Sequence, residues 1–449
     1  MEGPMDMQYY LGKIFENNRI EEDLYSRYDV KRGLRNANGT GVVVGLTRVG
    51  DVHGYIMDEG ERVPVDGKLY YRGIDVEMLV KHAQQENRYG YEEAVYLLMF
   101  GNLPTRSELD AFTRYLGEKR ALPDNFAEDS IMKAPSPNIM NKLARSVLAC
   151  YAYDPNPEDL SPGNVLRQCL ELIARFPTIV AYSYMAKKHY YDRESLFIHT
   201  PAANGSTAET LLSLIRPDQK FTRLEAEVLD LALIIHAEHG GGNNSTFAVR
   251  VITSTDTDTY SAIAAGVGSL KGNKHGGANI KVMGMMENIK ASVKDWSDEE
   301  EVATYLARLL KGEAYDRTGL IYGQGHAVYT LSDPRATLLR SKAEELAAEK
   351  GFEKEFQLYR TIEHLVPTVF QQVKGSTKPI CTNVDFYSGF VYQMLGIPEE
   401  LFTPLFAISR VAGWCAHRME EIVAGGRIIR PANKCVQPRL AYVPLAERG

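Results

Sequence analysis

The 449-residue sequence predicts a mainly α fold. Three observations carry that prediction. Apolar residues return at the three- and four-residue spacing of a buried helical stripe through most of the chain. Thr105 with Glu108, Thr222 with Glu225 and Ser297 with Glu300 have the spacing of capping boxes, which start helices. No alternation of strand and helix, internal repeat or low-complexity linker interrupts the pattern, and only one stretch reads as β structure.

In chain order, residues 1–44 have mixed charge and weak periodicity, which suggests an arm or short helices lying on a partner or on the body. From Gly45 the text becomes GLTRVGDVHGYIMDEGERVPVDGKLYYRGIDVEML, short alternating runs broken by Gly, Pro and Asp that predict a small hairpin, with Asp75 opening a helix. YEEAVYLLMFG is an amphipathic helix stopped at Gly101, and Thr105 starts the next. Helical patterns follow at Ile139 to Tyr151, Asn164 to Lys188 and Thr207 to Leu214. Leu224, Val228, Leu231 and Ile235 form a stripe whose next step is His239, so His239 points inward and Gly240 to Gly242 end the helix. Ala262, Ala264, Ala265, Gly266 and Gly268 form a helix with small side chains that admits a neighbouring backbone. A helix capped by Ser297 runs to Gly312.

Four places concentrate chemistry. HAEHGGGNNS holds His236, Glu238 and His239; a metal pair and a core histidine are the competing readings, and HExxH and paired cysteines are missing. LKGNKHGGAN sets His275 among glycines beside Lys271 and Lys274; Gly272 and Gly276 suit a phosphate cradle or a plain turn, and neither GxGxxG nor GxxxxGK[ST] is present. GQGHAVYTLSDPR puts His326 after a Gly-Gln-Gly turn and Arg335 in the first turn of a helix capped by Asp333 or Ser332. The helix dipole disfavours a cation there, and an anionic ligand would remove the conflict. NVDFYSG places Asp385 before a helix, as its N-cap or as a general base. The helix from Pro404 to about Val423 divides into a buried face (Leu405, Ile408, Ala412, Cys415, Met419 and Ile422) and another with Arg410, Trp414, His417 and Glu421. On that second face Arg410 meets a cleft, or solvent and Glu421. Arg430 lies in a Gly/Pro-bounded loop suited to reaching a neighbouring subunit.

Composition limits the function. Hydrophobic residues at 44% and charged residues at 24% fit a soluble globular protein, and a net charge of -7 argues against nucleic acid as a partner. An anionic substrate needs a local basic pocket. The five cysteines, Cys150, Cys169, Cys381, Cys415 and Cys435, lack metal spacing and fit a reducing cytoplasm. No apolar run spans a bilayer, and the acidic start resembles neither a secretory signal nor a transit peptide, so the expectation is a cytosolic protein with no membrane partner.

LKGNKHGGAN, GQGHAVYTLSDPR, NVDFYSG and RVAGWCAHRMEE, supported by HAEHGGGN, YYRGIDVEML and EEAVYLLMFGNLP, resemble the citrate synthase family in order and character from about Gly45 to the C-terminal loop. The resemblance implies a nearly all-helical homodimer with a large domain (45–276, resumed at 391–449) and a small domain (277–390) that close over the substrates. It also implies that His275, His326 and Asp385 are catalytic, that His239, Arg335 and Arg410 bind oxaloacetate, and that Arg430 is offered across the dimer. Lys271, Gly272, Lys274, Gly323 and Gly325 are its candidates for coenzyme A. Gln324 stands where the family often has an aromatic residue, and Ala327 and Thr330 where it often has basic ones, so Arg317 or Lys378 also become candidates for the phosphates. The implied reaction joins acetyl-CoA to oxaloacetate and hydrolyses the thioester, without metal or cofactor. The alternatives are 2-methylcitrate synthase, using propionyl-CoA, and a non-catalytic dimer that senses coenzyme A or citrate.

Overall fold

The computed structural model describes residues 7–36, 38–59, 61–376 and 378–448, with the backbone alone for Arg62. The chain gathers into two units, Met1–Leu46 and Thr47–Gly449. In the first, helices Met7–Asn17 and Glu22–Arg27 precede a short 3-10 turn at Arg32–Leu34. The Met7–Asn17 helix buries no residue, and Leu11, Ile14 and Phe15 are exposed on it.

The second unit opens with the expected hairpin. Strands β1 (Gly50–Asp58) and β2 (Glu61–Tyr71) pair antiparallel, with a register shift between His53 and Tyr55, and the two-residue β3 (Ile74–Asp75) pairs back on β2. The Asp75 carboxylate then accepts from Glu77 N–H and starts helix Val76–Gln85. Tyr91–Phe100 ends at Gly101 in the left-handed region (φ 90°), and capping boxes start Arg106–Glu118 and Arg223–His236 as expected. Asp298 caps Glu299–Leu310 in place of Ser297, whose hydroxyl is turned to Asp295 at 2.6 Å.

Helix Phe402–Ala424 is the axis of the core. Helices Tyr91–Phe100, Pro162–Tyr190, Arg223–His236, Asn244–Thr253 and Thr259–Lys271 all pack on it. From Phe402 to Arg418 every residue but Phe406 is buried, so the expected division into two faces is wrong. A helix surrounded by others has no solvent face for polar side chains to occupy. Trp414, His417 and Arg410 are 0% exposed, and Glu421 pairs with Arg250 at 2.9 Å rather than with Arg410. Gly266 admits a side chain instead of the expected backbone: a Cβ there would meet Val249 at 2.7 Å and the Trp414 ring at 3.1 Å.

The helices Ala278–Ser292, Glu299–Leu310, Pro334–Lys350, Glu353–Lys374 and Val384–Met394 pack among themselves, and Pro334–Lys350 also rests on Arg223–His236. No described helix is long and apolar enough to cross a membrane.

Candidate active site

The Arg223–His236 helix stops three residues before His239, earlier than its apolar stripe suggests. Other elements take its last carbonyls. Tyr71 Oη donates to Ile234 O at 2.7 Å, Arg410 Nε to His236 O at 2.6 Å and Gly413 N–H to Ala237 O at 3.2 Å. These partners replace several of the hydrogen bonds that a continued helix would have supplied. His239 still turns inward. Its ring lies 5.3 Å from that of His326 and 5.7 Å from that of Tyr329, and its buried Nε2 has no partner. Burial, then the Arg335 charge, holds its pKa well below the usual range, so the ring is neutral.

His326 follows the turn Gly323-Gln324-Gly325, whose glycines sit at φ 79° and 83°. Gly325 N–H donates to Cys381 O at 2.7 Å, Asn383 N–H to Gly323 O at 2.9 Å and Asn383 Nδ2 to Gly325 O at 2.7 Å. The turn is thereby tied to the segment that leads into Asp385. His326 Nδ1 accepts from the N–H groups of Val328 and Tyr329, both at 3.1 Å, and the ring stacks on Tyr329 at 4.7 Å. A neutral ring with Nδ1 so engaged carries its proton on Nε2. Nε2 lies 3.5 Å from Arg335 Nη2, which places two N–H donors side by side.

Arg335 resolves its conflict with the helix dipole through the protein itself. Asp333 caps Pro334–Lys350 and takes both Arg335 Nε (3.0 Å) and Nη2 (2.8 Å), so no external anion is needed for that purpose. Burial would lower the guanidinium pKa, yet the Asp333 carboxylate beside it holds it above the usual value. Asp333 Oδ2 also accepts from Val384 N–H at 3.2 Å, joining this helix start to that of Val384–Met394.

Asp385 is not the N-cap. Asn383 caps the helix by accepting from Asp385 N–H at 3.0 Å, which leaves the Asp385 carboxylate free at the second helical position. Among the described residues no donor reaches its oxygens. Burial pushes its carboxyl up to about 6, with Arg335 opposing.

Arg410 carries the strongest signal of a ligand. Its guanidinium is fully buried, stacked over Phe406 at 4.7 Å, and only Nε is bonded, while Nη1 and Nη2 have no partner. Burial lowers it to about 10, against the Glu238 charge. An incompletely paired cation in a protein interior costs several kcal/mol, of order 3–5, which makes Arg410 a candidate to bind an anion. The charges of Arg410 and Arg335 act on both His239 and Asp385, and that of Arg410 acts on His275. Arg410 is thus the common neighbour of residues from three separate segments.

His275 lies beyond the end of Thr259–Lys271 with its ring 6.3 Å from Phe406 and its Nε2 3.1 Å from Ser245 Oγ. Burial lowers it to about 4, with the Arg410 charge adding to the effect. Ser245 also contacts Asn243 Oδ1 at 2.9 Å and takes the Trp414 indole N–H at 3.1 Å. Sequence reading missed this layer. Ser245 and Asn243 lie in the quoted GGGNNS run, where only the glycines and histidines were weighed. Asn383 was in plain view too, as a favoured N-cap residue two positions before Asp385.

Lys271, Gly272 and Lys274 are exposed beside His275. Gly323 and Gly325 are accounted for locally by the turn they make, and a Cβ on Gly323 would meet Phe386 at 2.8 Å. Arg430 is exposed on the segment after the last long helix, next to Ile429, whose N–H donates to Ser254 Oγ at 3.1 Å. Among the described residues nothing joins it to the cluster. Among the described residues no group of His, Cys, Asp and Glu is arranged to hold a metal ion.

The family model for citrate synthase, C-terminal domain, matches residues 37–432, a span that contains every member of the cluster. The chain belongs to the citrate synthase family. The citrate synthase of Haloferax volcanii is 33% identical over 426 residues, covering 94% of this chain and 99% of that protein. The 2-methylcitrate synthase of Shewanella oneidensis is also 33% identical, over 385 residues, covering 85% and 92%. Among solved structures, the ternary complex of Thermoplasma acidophilum citrate synthase with carboxymethyl coenzyme A and oxaloacetate superposes with a TM-score of 0.75 at 28% identity, covering 93% of this chain and 99% of that one. That of Pyrobaculum aerophilum gives 0.74 at 30%, covering 91% and 94%. The mainly helical citrate synthase fold expected from the sequence is therefore the fold of this chain, and the chain is an enzyme of the citrate synthase kind, an acyltransferase of class EC 2.3.3.

Proposed function

We propose that the enzyme condenses acetyl-CoA with oxaloacetate and hydrolyses the product to citrate and coenzyme A. The observation that carries this reading is the buried, doubly unpartnered guanidinium of Arg410 beside two neutral histidines and a carboxyl with a raised pKa. Oxaloacetate supplies the missing anion. One of its carboxylates binds Arg410, with Arg335 and His239 nearby, and Arg430 of a second copy completes the charge in a homodimer. Residues 277–390 act as a small domain closing on the rest and excluding water.

Asp385 takes a proton from the acetyl methyl group, and a carboxyl raised to about 6 is a better base than an ordinary one. His275 donates a hydrogen bond to the thioester oxygen as the enolate forms. The methyl carbon then bonds to the ketone carbon of oxaloacetate, and the ketone oxygen takes a proton from His326 Nε2. Water next splits the citryl thioester and coenzyme A leaves as the thiol. Lys271, Gly272, Lys274, Gly323 and Gly325 remain the candidates for coenzyme A contacts.

The role of His275 sets a condition on its neighbours. Ser245 has one hydroxyl proton. Given to Asn243 Oδ1, it obliges His275 Nε2–H to donate to Ser245 and leaves Nδ1 a bare acceptor. With the Asn243 amide turned over, its NH2 donates to Ser245, the hydroxyl donates to Nε2, and the ring proton sits on Nδ1, from which the thioester oxygen can take a hydrogen bond. The proposed chemistry uses the second arrangement.

A second reading, propionyl-CoA to 2-methylcitrate, is favoured by the equal identity to relatives of both names. One methylene shifts selectivity by only about 1–3 kcal/mol. Thiol release with each acyl-CoA plus oxaloacetate, for wild type and Asp385→Asn, tests both. Release from neither thioester by the wild type would end the proposal, and an unchanged rate in the variant would remove Asp385 from its role.

A further inference from the structure

Arg410, Gly413 and His417 follow at three- and four-residue spacing on the Phe402–Ala424 helix, so they share one face in successive turns. Glu238 lies across that face. A Cβ on Gly413 would stand 2.3 Å from Glu238 Oε2, and Glu238 Oε1 takes the His417 Nε2–H at 3.0 Å. One turn away is Arg410, for which Glu238 is the leading favourable charge neighbour. The carboxylate therefore lies between two donors of one helix and bonds only one of them. Its Oε2 has no partner, and neither do Nη1 and Nη2 of Arg410, with all three atoms buried. Opposite charges in a dry interior attract strongly, so a contact must keep these two apart.

That contact is braced from behind. Arg250, on the Asn244–Thr253 helix, is fixed by Glu420 at 2.8 Å and Glu421 at 2.9 Å, and donates Nη1–H to His417 Nδ1 at 3.0 Å. With Nδ1 accepting from Arg250, it is Nε2–H of His417 that donates to Glu238. On the other side Gly50 leaves the Glu238 stem little slack, since a Cβ there would lie 2.7 Å from Glu238 Cγ.

We propose that His417 is a positioning residue that holds the Glu238 carboxylate off Arg410 and so keeps that guanidinium open to a carboxylate of the substrate. Glu238 is an internal competitor for the substrate's place. This rests on reading Arg410 as an oxaloacetate ligand.

His417→Asn keeps an acceptor for Arg250 but ends short of Glu238, whereas His417→Gln keeps a donor within reach of Glu238. His417→Asn should weaken oxaloacetate binding, measured by calorimetry, by about tenfold or more, and raise KM for oxaloacetate far more than it lowers kcat. His417→Gln should bind near the wild-type level. Adding Glu238→Gln to His417→Asn should restore binding, because a neutral amide does not compete for Arg410, and such a rescue is not expected of mere core damage. Thermal unfolding checks each variant, with His417→Leu measured should the Asn variant not fold. A crystal structure of the disconnected variant should show Glu238 within hydrogen-bond distance of Arg410. Unchanged affinity with Glu238 in its present place overturns the proposal, as does failure of Glu238→Gln to restore binding. A wild type that binds no oxaloacetate sinks the functional reading instead, and the Glu238 position in the variant then decides this inference alone.

Discussion

At the residue scale, Asp385 supplies the sharpest expectations. As a base it works ionised, so kcat/KM should fall as pH drops through about 6, where its carboxyl takes a proton. His275, lowered to about 4, stays neutral across that range and should add no second limb above pH 5 or so. A raised folded-state pKa means that ionised Asp385 opposes folding above its ordinary pKa. Asp385→Asn should accordingly cut turnover by about 10²–10⁴-fold while raising stability at pH 8 by up to roughly 3 kcal/mol. That gain should shrink as pH falls through 6 and vanish near the ordinary carboxyl value, as denaturant unfolding at several pH values would show. Asn243→Asp tests the proton chain: a carboxylate there can only accept from Ser245, which strands His275 Nδ1 without its proton. Turnover should drop by about two orders of magnitude with thermal stability little changed. The residue types of this site were legible in the sequence, but their partners were not. Whether Asp385 capped its helix or stood free depended on Asn383, and whether Arg335 needed an anion depended on which way the Asp333 carboxylate turned.

At the element scale, periodicity and capping chemistry located the helices, because a capping box and a left-handed glycine act within a few residues. The end of Arg223–His236 was not visible, since its last carbonyls are taken by Tyr71, Arg410 and Gly413 from distant parts of the chain. The Phe402–Ala424 helix was misread for a related reason. Its polar residues are spaced as on an exposed face, yet Trp414, His417 and Arg418 find buried partners on surrounding helices and loops. Close packing around this helix predicts that Gly413→Ala, whose Cβ would stand 2.3 Å from Glu238 Oε2 and 2.4 Å from Ala237 O, destabilises the protein. Calorimetric unfolding should register a loss of about 1–3 kcal/mol.

For the whole molecule, the family and the helical class were legible because several motifs occur in order along most of the chain. The loop of Arg430 was also singled out in the sequence, and in the structure this residue is exposed, outside the cluster of its own chain. The proposed exchange across a dimer has a distinctive consequence. Mixing Asp385→Asn with Arg430→Leu subunits creates heterodimers in which one site is intact. Activity should then rise toward roughly a quarter of wild type after unfolding and refolding the two together. An arginine acting within its own chain would give no recovery.

Asp333 couples matters of more than local bonding. A single side chain anchors the starts of two helices, one bearing the Arg335 cation and the other the proposed proton acceptor Asp385. Any swing of residues 277–390 should then carry the Arg335 cation and the Asp385 base as one rigid piece, so that gating alters the distance to Arg410 without disturbing their mutual aim. Crystals trapped in different degrees of opening should preserve the Asp333 to Val384 contact near 3.2 Å while the gap to the Phe402–Ala424 helix varies.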